Sequence, residues 1–219
     1  MVARPRKIRK PKKSVVAVTK TADDTAGFTA YRKALTGGGV EPPDLPDLLV
    51  AEPTGDRVRV SAHGGQVLHW SVDDGDELLY LSPDASIDEG QAIRGGIPIC
   101  WPQFSTRGPL PKHGFARNAT WRLHGQDDTS LLLELTPDDL SDEMRAAWPH
   151  QFQLRQKIDL APGQLTVTLD VSNQGQTPFD FTTALHTYLR VADVTQVHKL
   201  LHGREDTVCG DSGYTEIGR

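Results

Sequence analysis

From about residue 48 the chain is written as short runs of alternating apolar and polar side chains, separated by turns rich in Gly, Pro, Asn and Asp. The clearest run sets Leu165, Val167, Leu169 and Val171 against Thr166, Thr168 and Asp170, the period of two expected of a strand with one buried face. Phe152, Leu154, Ile158 and Leu160 keep a similar frame, with Gln156 as its polar exception. Further strands are predicted over 57–61, 66–72, 77–81, 119–123, 130–135 and 179–191, with turns at 73–76 (DDGD) and 172–178 (SNQGQTP). One helix is predicted: Thr136 is its cap, Pro137 takes the first position, and Asp138 and Asp139 fill the first turn. It ends at Trp148, because Pro149 disfavours helical geometry in the residue before it. Many strands and one short helix predict a mainly β fold, an antiparallel sandwich with no internal repeat.

Upstream of residue 47 the pattern weakens. The stretch at 36–47 (TGGGVEPPDLPD) is a linker by composition. Residues 1–20 carry eight Lys or Arg and no acid. We expect residues 1–46 to be a basic leader and linker, largely disordered, and residues 47–219 to form the folded domain. The net charge of −5 then hides an acidic body, since the remaining 16 bases face 29 acids. A body of that sign repels phosphate backbones, so the folded domain is not expected to bind nucleic acid. No apolar run is long enough to span a membrane, and the N-terminus has no apolar signal-peptide core. Cys100 and Cys209 stand far apart, which suits a reducing compartment and a cytoplasmic location.

Residues 93–121 differ from the strands around them. IRGGIPICWPQFSTRGPLPKHGFARNATW contains Arg94, Arg107, Lys112, His113 and Arg117, and no acid occurs from 91 to 126. In an acidic body this is a local basic site, suited to a small phosphate or carboxylate. A long crossover loop with solvated cations is the alternative. In FDFTTALHTYLRV, strand alternation puts Asp180, Thr182, Ala184, His186, Tyr188 and Arg190 on one face. That polar row suits a polyhydroxylated ligand, although a single His is more often structural. His198 and His202 have no evident third partner, so no metal site is expected.

Four blocks, RGGIPICWPQF, LPKHGFARNATW, WPHQFQL and ALHTYLRV, resemble the glucose-6-phosphate 1-epimerase (hexose-6-phosphate mutarotase) branch of the aldose 1-epimerase family. The resemblance runs from about residue 48 to about residue 197. It implies a galactose mutarotase-like β-supersandwich and an isomerase that interconverts the α and β anomers of a hexose 6-phosphate, without a cofactor. The chemistry is acid–base ring opening: one group protonates the ring oxygen while another takes the proton from the C1 hydroxyl. By resemblance His186 is the general acid, Arg94 and Arg117 bind substrate through its phosphate, and His113 lines the pocket. Lys112 stands where the family usually has Gln, and a long amine there still reaches an anion or hydroxyl.

The resemblance also implies a general-base carboxylate beyond the ALHTY block. Glu205, Asp206, Asp211 and Glu216 are present, but none lies in a matching motif. The expectation is therefore a C-terminally truncated sandwich lacking its last strands, monomeric, with weak activity or none. The competing expectations are a non-catalytic sugar-phosphate-binding module and, from a different class, a basic leader that tethers the chain to an anionic surface.

Overall fold

The computed structural model describes residues 6–8, 14–21, 48–51, 55–85, 91–191, 207–210 and 213–216. The strands in chain order are β1 (Arg6–Ile8), β2 (Ser14–Thr21), β3 (Leu48–Ala51), β4 (Arg57–Ser61), β5 (Gln66–Ser71), β6 (Ile99–Cys100), β7 (Arg122–Gln126) and β8 (Ser130–Leu135). They continue as β9 (Phe152–Ala161), β10 (Gln164–Asn173), β11 (Phe179–Phe181), β12 (Ala184–Leu185), β13 (Thr207–Gly210) and β14 (Gly213–Glu216). The largest sheet has the order β2-β10-β9-β8-β7, and every neighbour pair in it is antiparallel.

The alternation read from sequence fixes the register of this sheet. Leu131, Leu133 and Leu135 of β8 pair with Ile158, Gln156 and Leu154 of β9, all on the inner face. Leu165, Val167, Leu169 and Val171 continue that face on β10. A second sheet, β3-β4-β5, presents Val58, Val60, Val67 and Trp70 to the same hydrophobic cluster. Two sheets that share one core make a sandwich. At one end of the core Trp101 packs against Phe115, Trp148, Phe152, Phe179 and Phe181. The RGGIPICWPQF segment is thereby anchored inside the sandwich.

Several expectations shift, each for a local reason. The 119–123 strand starts later, at Arg122, because Ala119 and Trp121 bond instead to the Ala62–Gly65 turn: Gly64 N–H donates to Ala119 O and Trp121 N–H to Ala62 O. The expected strand at 77–81 is a series of single bridges, Ser71 to Glu77, Leu79 to Leu189 and Leu81 to Gly95. Its partner changes every second residue, so no ladder builds. The single helix is two elements. A 3-10 turn at Pro137–Asp139 is closed by a capping box between Thr136 and Asp139. Ser141 then caps a second helix, α1 (Asp142–Ala147), by accepting from Met144 N–H, and Trp148 ends it as expected.

The leader also departs from expectation at two places. Arg6–Ile8 pairs antiparallel with β11, and Ser14–Thr21 pairs antiparallel with β10 over eight residues. SVVAVTKT is rich in β-branched residues, and it occupies a sheet edge that β10 would otherwise leave open. The C-terminal stretch, which shows no period in sequence, contributes the β13–β14 hairpin.

Candidate active site

Three backbone segments carry the expected site residues, and two of them, those of Arg94 and His186, run side by side. His186 N–H donates to Pro98 O at 2.9 Å and Tyr188 N–H to Gly96 O at 2.8 Å. β12 meanwhile pairs with β6 in the register Ala184 to Cys100 and Leu185 to Ile99. This lays the ALHTYLRV block along the RGGIPIC block. On its other side, Tyr80 N–H donates to Tyr188 O and Arg190 N–H to Leu78 O. The long strand expected over 179–191 is therefore broken into β11 and β12, with Thr183, Ala184 and Leu185 all buried. Strict alternation fails there, because the segment changes partners at Thr182, whose Oγ1 accepts from Phe104 N–H at 2.7 Å. His186 and Tyr188 still share a side, with ring centroids 4.9 Å apart.

The loop that leads into KHGFAR is held from inside by Gln103. Its side-chain amide donates to Ser105 O at 2.9 Å and Leu110 O at 3.0 Å, while its carbonyl accepts from Leu110 N–H at 2.9 Å. Gly114, at φ +72°, passes so close to Trp101 O that a Cβ there would collide with the backbone. These constraints swing His113 inward. It is 4% exposed, has φ +72°, and packs against Phe104 with ring centroids 5.2 Å apart.

His113 Nδ1 accepts from Ser105 N–H at 3.2 Å and stands 3.2 Å from Cys100 Sγ. An accepting Nδ1 carries no proton, so the neutral ring bears its hydrogen on Nε2. Burial pushes the His113 pKa down to about 4, helped by the charges of Arg117, His186 and Lys112. Burial also pushes the Cys100 thiol up to about 12, which keeps it a neutral S–H able to donate to Nδ1. The His186 ring meets His113 edge to face, centroids 5.6 Å apart. Its pKa lies below the ordinary histidine value, first through burial and then through cations including Arg117 and Lys112.

Arg117 is half-buried and reaches back to donate to Lys112 O at 3.0 Å, while its Nε is buried without a protein partner. The structure thus brings His113, His186, Arg117 and Lys112 into one electrostatic neighbourhood. Arg94 is placed separately. It projects, exposed, from the neighbouring stretch just before two glycines of positive φ, Gly95 and Gly96. Sequence reasoning missed Cys100, Ser105 and Gln103, whose contribution is to orient other residues. Among the described residues no group of three or more His, Cys, Asp or Glu is placed to hold a metal, and no helix is long and apolar enough to cross a membrane. His198, His202, Glu205, Asp206 and Asp211 lie outside the described residues, as does the side chain of Glu216.

A family model described as aldose 1-epimerase matches residues 47–217. The chain belongs to the aldose 1-epimerase family. It is 40% identical over 149 residues to a protein of Cenchrus ciliaris named "Putative glucose-6-phosphate 1-epimerase", covering 62% of this chain and 44% of that one. An Escherichia coli protein of the same name is 36% identical over 157 residues, covering 69% of this chain and 51% of that one. The chain spans about half the length of these curated relatives. A solved structure from Synechocystis is 28% identical and superposes with a TM-score of 0.51, over 64% of this chain and 52% of that one. A galactose mutarotase-like protein from Lactobacillus casei, at 16% identity and TM-score 0.52 over 63% of this chain and 48% of that one, shares the fold. Membership agrees with the sandwich and with the order of the four sequence blocks.

Proposed function

We propose that this chain carries the sugar-phosphate-binding face and the general acid of an isomerase that interconverts the α and β anomers of a hexose 6-phosphate. The observation that carries this reading is the pairing of two imidazoles of opposite task beside a cationic loop. His113 is held neutral with its proton on Nε2, whereas His186, 5.6 Å away between ring centroids, is half-buried and hydrogen-bonded to its own backbone, a contact that favours its protonated form. A locked neutral imidazole is a hydrogen-bond donor that orients a hydroxyl. A half-buried one whose protonated form is favoured by a backbone contact can gain and lose a proton.

In this reading Arg94, Arg117 and Lys112 hold the phosphoryl group. His186 delivers a proton to the ring oxygen as the C1 hydroxyl loses its own to a base. The C1–O bond to the ring oxygen breaks, the open aldehyde turns about C1–C2, and reclosure on the opposite face returns the proton to His186. Fixing the phosphate lets the reacting end move while the substrate stays bound.

The experiment is anomerisation of freshly dissolved α-glucose 6-phosphate by the 219-residue chain, followed by proton NMR alongside binding. Removing the acid with His186→Gln is expected to slow the reaction by roughly 10²–10⁴ while leaving binding within a few-fold. An unchanged rate in that variant overturns the assignment. A non-catalytic sugar-phosphate-binding module is the second reading, favoured by one observation: the strongest charges acting on His186 are cationic. Binding of glucose 6-phosphate without any acceleration selects it.

A further inference from the structure

Gln66, on β5, is fully buried between core residues, yet it is not spent on its own sheet. Its side-chain amide donates to Ile93 O at 3.2 Å and to Gly95 O at 2.6 Å. Those two carbonyls bracket Arg94. The carbonyl between them, that of Arg94 itself, accepts from Ser82 N–H at 3.0 Å. Three successive carbonyls are thus pinned around Arg94, whose charged side chain is exposed. Immediately beyond, Gly95 at φ +119° and Gly96 at φ +61° run so close to Tyr80 O and Val67 O that no side chain fits. The backbone under Arg94 is therefore wedged on one side and tethered by a side chain from the core on the other.

The tether is chemically conspicuous. Its own Oε1 is buried with no protein partner, and an unsatisfied buried acceptor costs about 1–3 kcal/mol. Its neighbours on β5, Val67 and Leu68, are fully buried and apolar. An apolar residue in its place would fill the core and leave the Ile93 and Gly95 carbonyls without their donor. Gln66 is thus better matched to the loop that carries Arg94 than to the core it sits in.

We propose that Gln66 is a positioning residue for anion capture, fixing the root of Arg94 so that its guanidinium meets a phosphoryl group already oriented. This rests on the reading of Arg94 as a phosphate ligand in the proposed function. A planar fork gains from a fixed root, because two parallel hydrogen bonds to a phosphate require one approach angle. Freed of the tether, the loop would have to be ordered anew with each binding event.

The test is a double-mutant cycle on the full chain. Dissociation constants for glucose 6-phosphate and for glucose are measured for the parent, Gln66→Met, Arg94→Ala and the double variant, with thermal melts alongside. Gln66→Met is expected to weaken glucose 6-phosphate about tenfold, leave glucose unchanged, and add nothing to Arg94→Ala, as coupled residues do. Equal weakening of both sugars, or a full further loss on the Arg94→Ala background, overturns the proposal and makes Gln66 merely structural. If Arg94→Ala leaves the affinity for glucose 6-phosphate unchanged, it is the phosphate assignment of Arg94 that fails, and the inference falls with it. Should Gln66→Met not fold, the parent protein still answers. Inorganic phosphate is expected to shift the Gln66 side-chain amide resonances, and that shift is lost in Arg94→Ala. Resonances that do not move overturn the proposal.

Discussion

Acid should unfold this protein partly through a single buried imidazole. His113 Nδ1 accepts from Ser105 N–H, and its ring is 4% exposed against Phe104. Protonation would set an Nδ1–H against the Ser105 N–H and bury a charge beside Arg117 and Lys112. The folded pKa of about 4 against the ordinary 6.5 expresses that cost. The folded value is the lower one, so on acidification the unfolded chain binds its proton first. The contribution of His113 is complete above about pH 6.5, declines as pH falls, and is exhausted just below pH 4. At 1.36 kcal/mol per pH unit, the loss is about 2 kcal/mol by pH 5 and about 3 kcal/mol by pH 4.

Urea unfolding from pH 7.5 to 4 would measure this, comparing the parent with His113→Asn. Asn tolerates the positive φ of 72° at this position, can still offer an oxygen to Ser105 N–H, and does not titrate. His186 is coupled to His113, so His186→Gln is carried in both proteins; the remaining groups then titrate alike, and the difference isolates His113. The variant should begin less stable by about 1–2 kcal/mol, for lost ring packing. The gap should then close and reverse as pH falls, by a total of about 3 kcal/mol. Parallel stability curves would refute the burial of a neutral His113 ring beside these cations.

Three further outcomes follow from the same geometry. Gly96→Ala would place a Cβ against Val67 O and Leu68 Cα at φ +61°, and should cost more than about 2 kcal/mol in chemical denaturation; a cost under 1 kcal/mol would mean the two segments are not in contact. In a Cys209→Ser background, Cys100 should resist iodoacetamide at pH 8 and react only on unfolding, because its thiol is buried and its pKa is raised to about 12; rapid labelling of the native protein would contradict this. The third concerns His186: in the proposed function it is the acid and must be protonated, so activity is expected to fall as pH rises through its pKa. In the free protein that pKa is lowered by burial and by cations including Arg117 and Lys112, while a bound phosphate dianion offsets the cations. The descending limb of kcat should therefore lie at higher pH than that of kcat/KM, and coincident limbs would refute the coupling.

The sandwich was legible in sequence wherever one face of a strand is buried along its whole length. β10 alternates without interruption and β9 with Gln156 as its one polar residue on the inner face, and the structure gives them the register that the pattern implies. Legibility failed where a segment takes a new partner every two residues, as at 77–81 and 182–190. Periodicity reports one environment averaged over several residues, and these segments have no single environment. His113, His186, Arg117 and Lys112 were reachable from the family blocks, and the structure groups them. Gln66, Gln103 and Ser105 were not, because their roles are hydrogen bonds to backbone carbonyls or to a ring nitrogen. Such bonds depend on the path of a distant chain segment, and no residue type announces them.

The cations around His186 oppose the state in which a general acid is useful. Burial, and after it Arg117 and Lys112, hold the ring toward neutrality, and the half-buried Arg117 retains an Nε without a protein partner. In the proposed function His186 is an acid poised against its own surroundings, idle until an anion arrives. In the proposed function that anion is the phosphoryl group of the substrate, which would neutralise the cations and raise the proton affinity of His186. Selectivity for a phosphorylated sugar would then reside in the protonation of the acid as well as in binding. Glucose could occupy the sugar site, yet it would meet a largely unprotonated imidazole. Glucose with added inorganic phosphate should accordingly turn over faster than glucose alone wherever the two fit together, and phosphate that only competes with the sugar would show that charge at the loop serves binding alone.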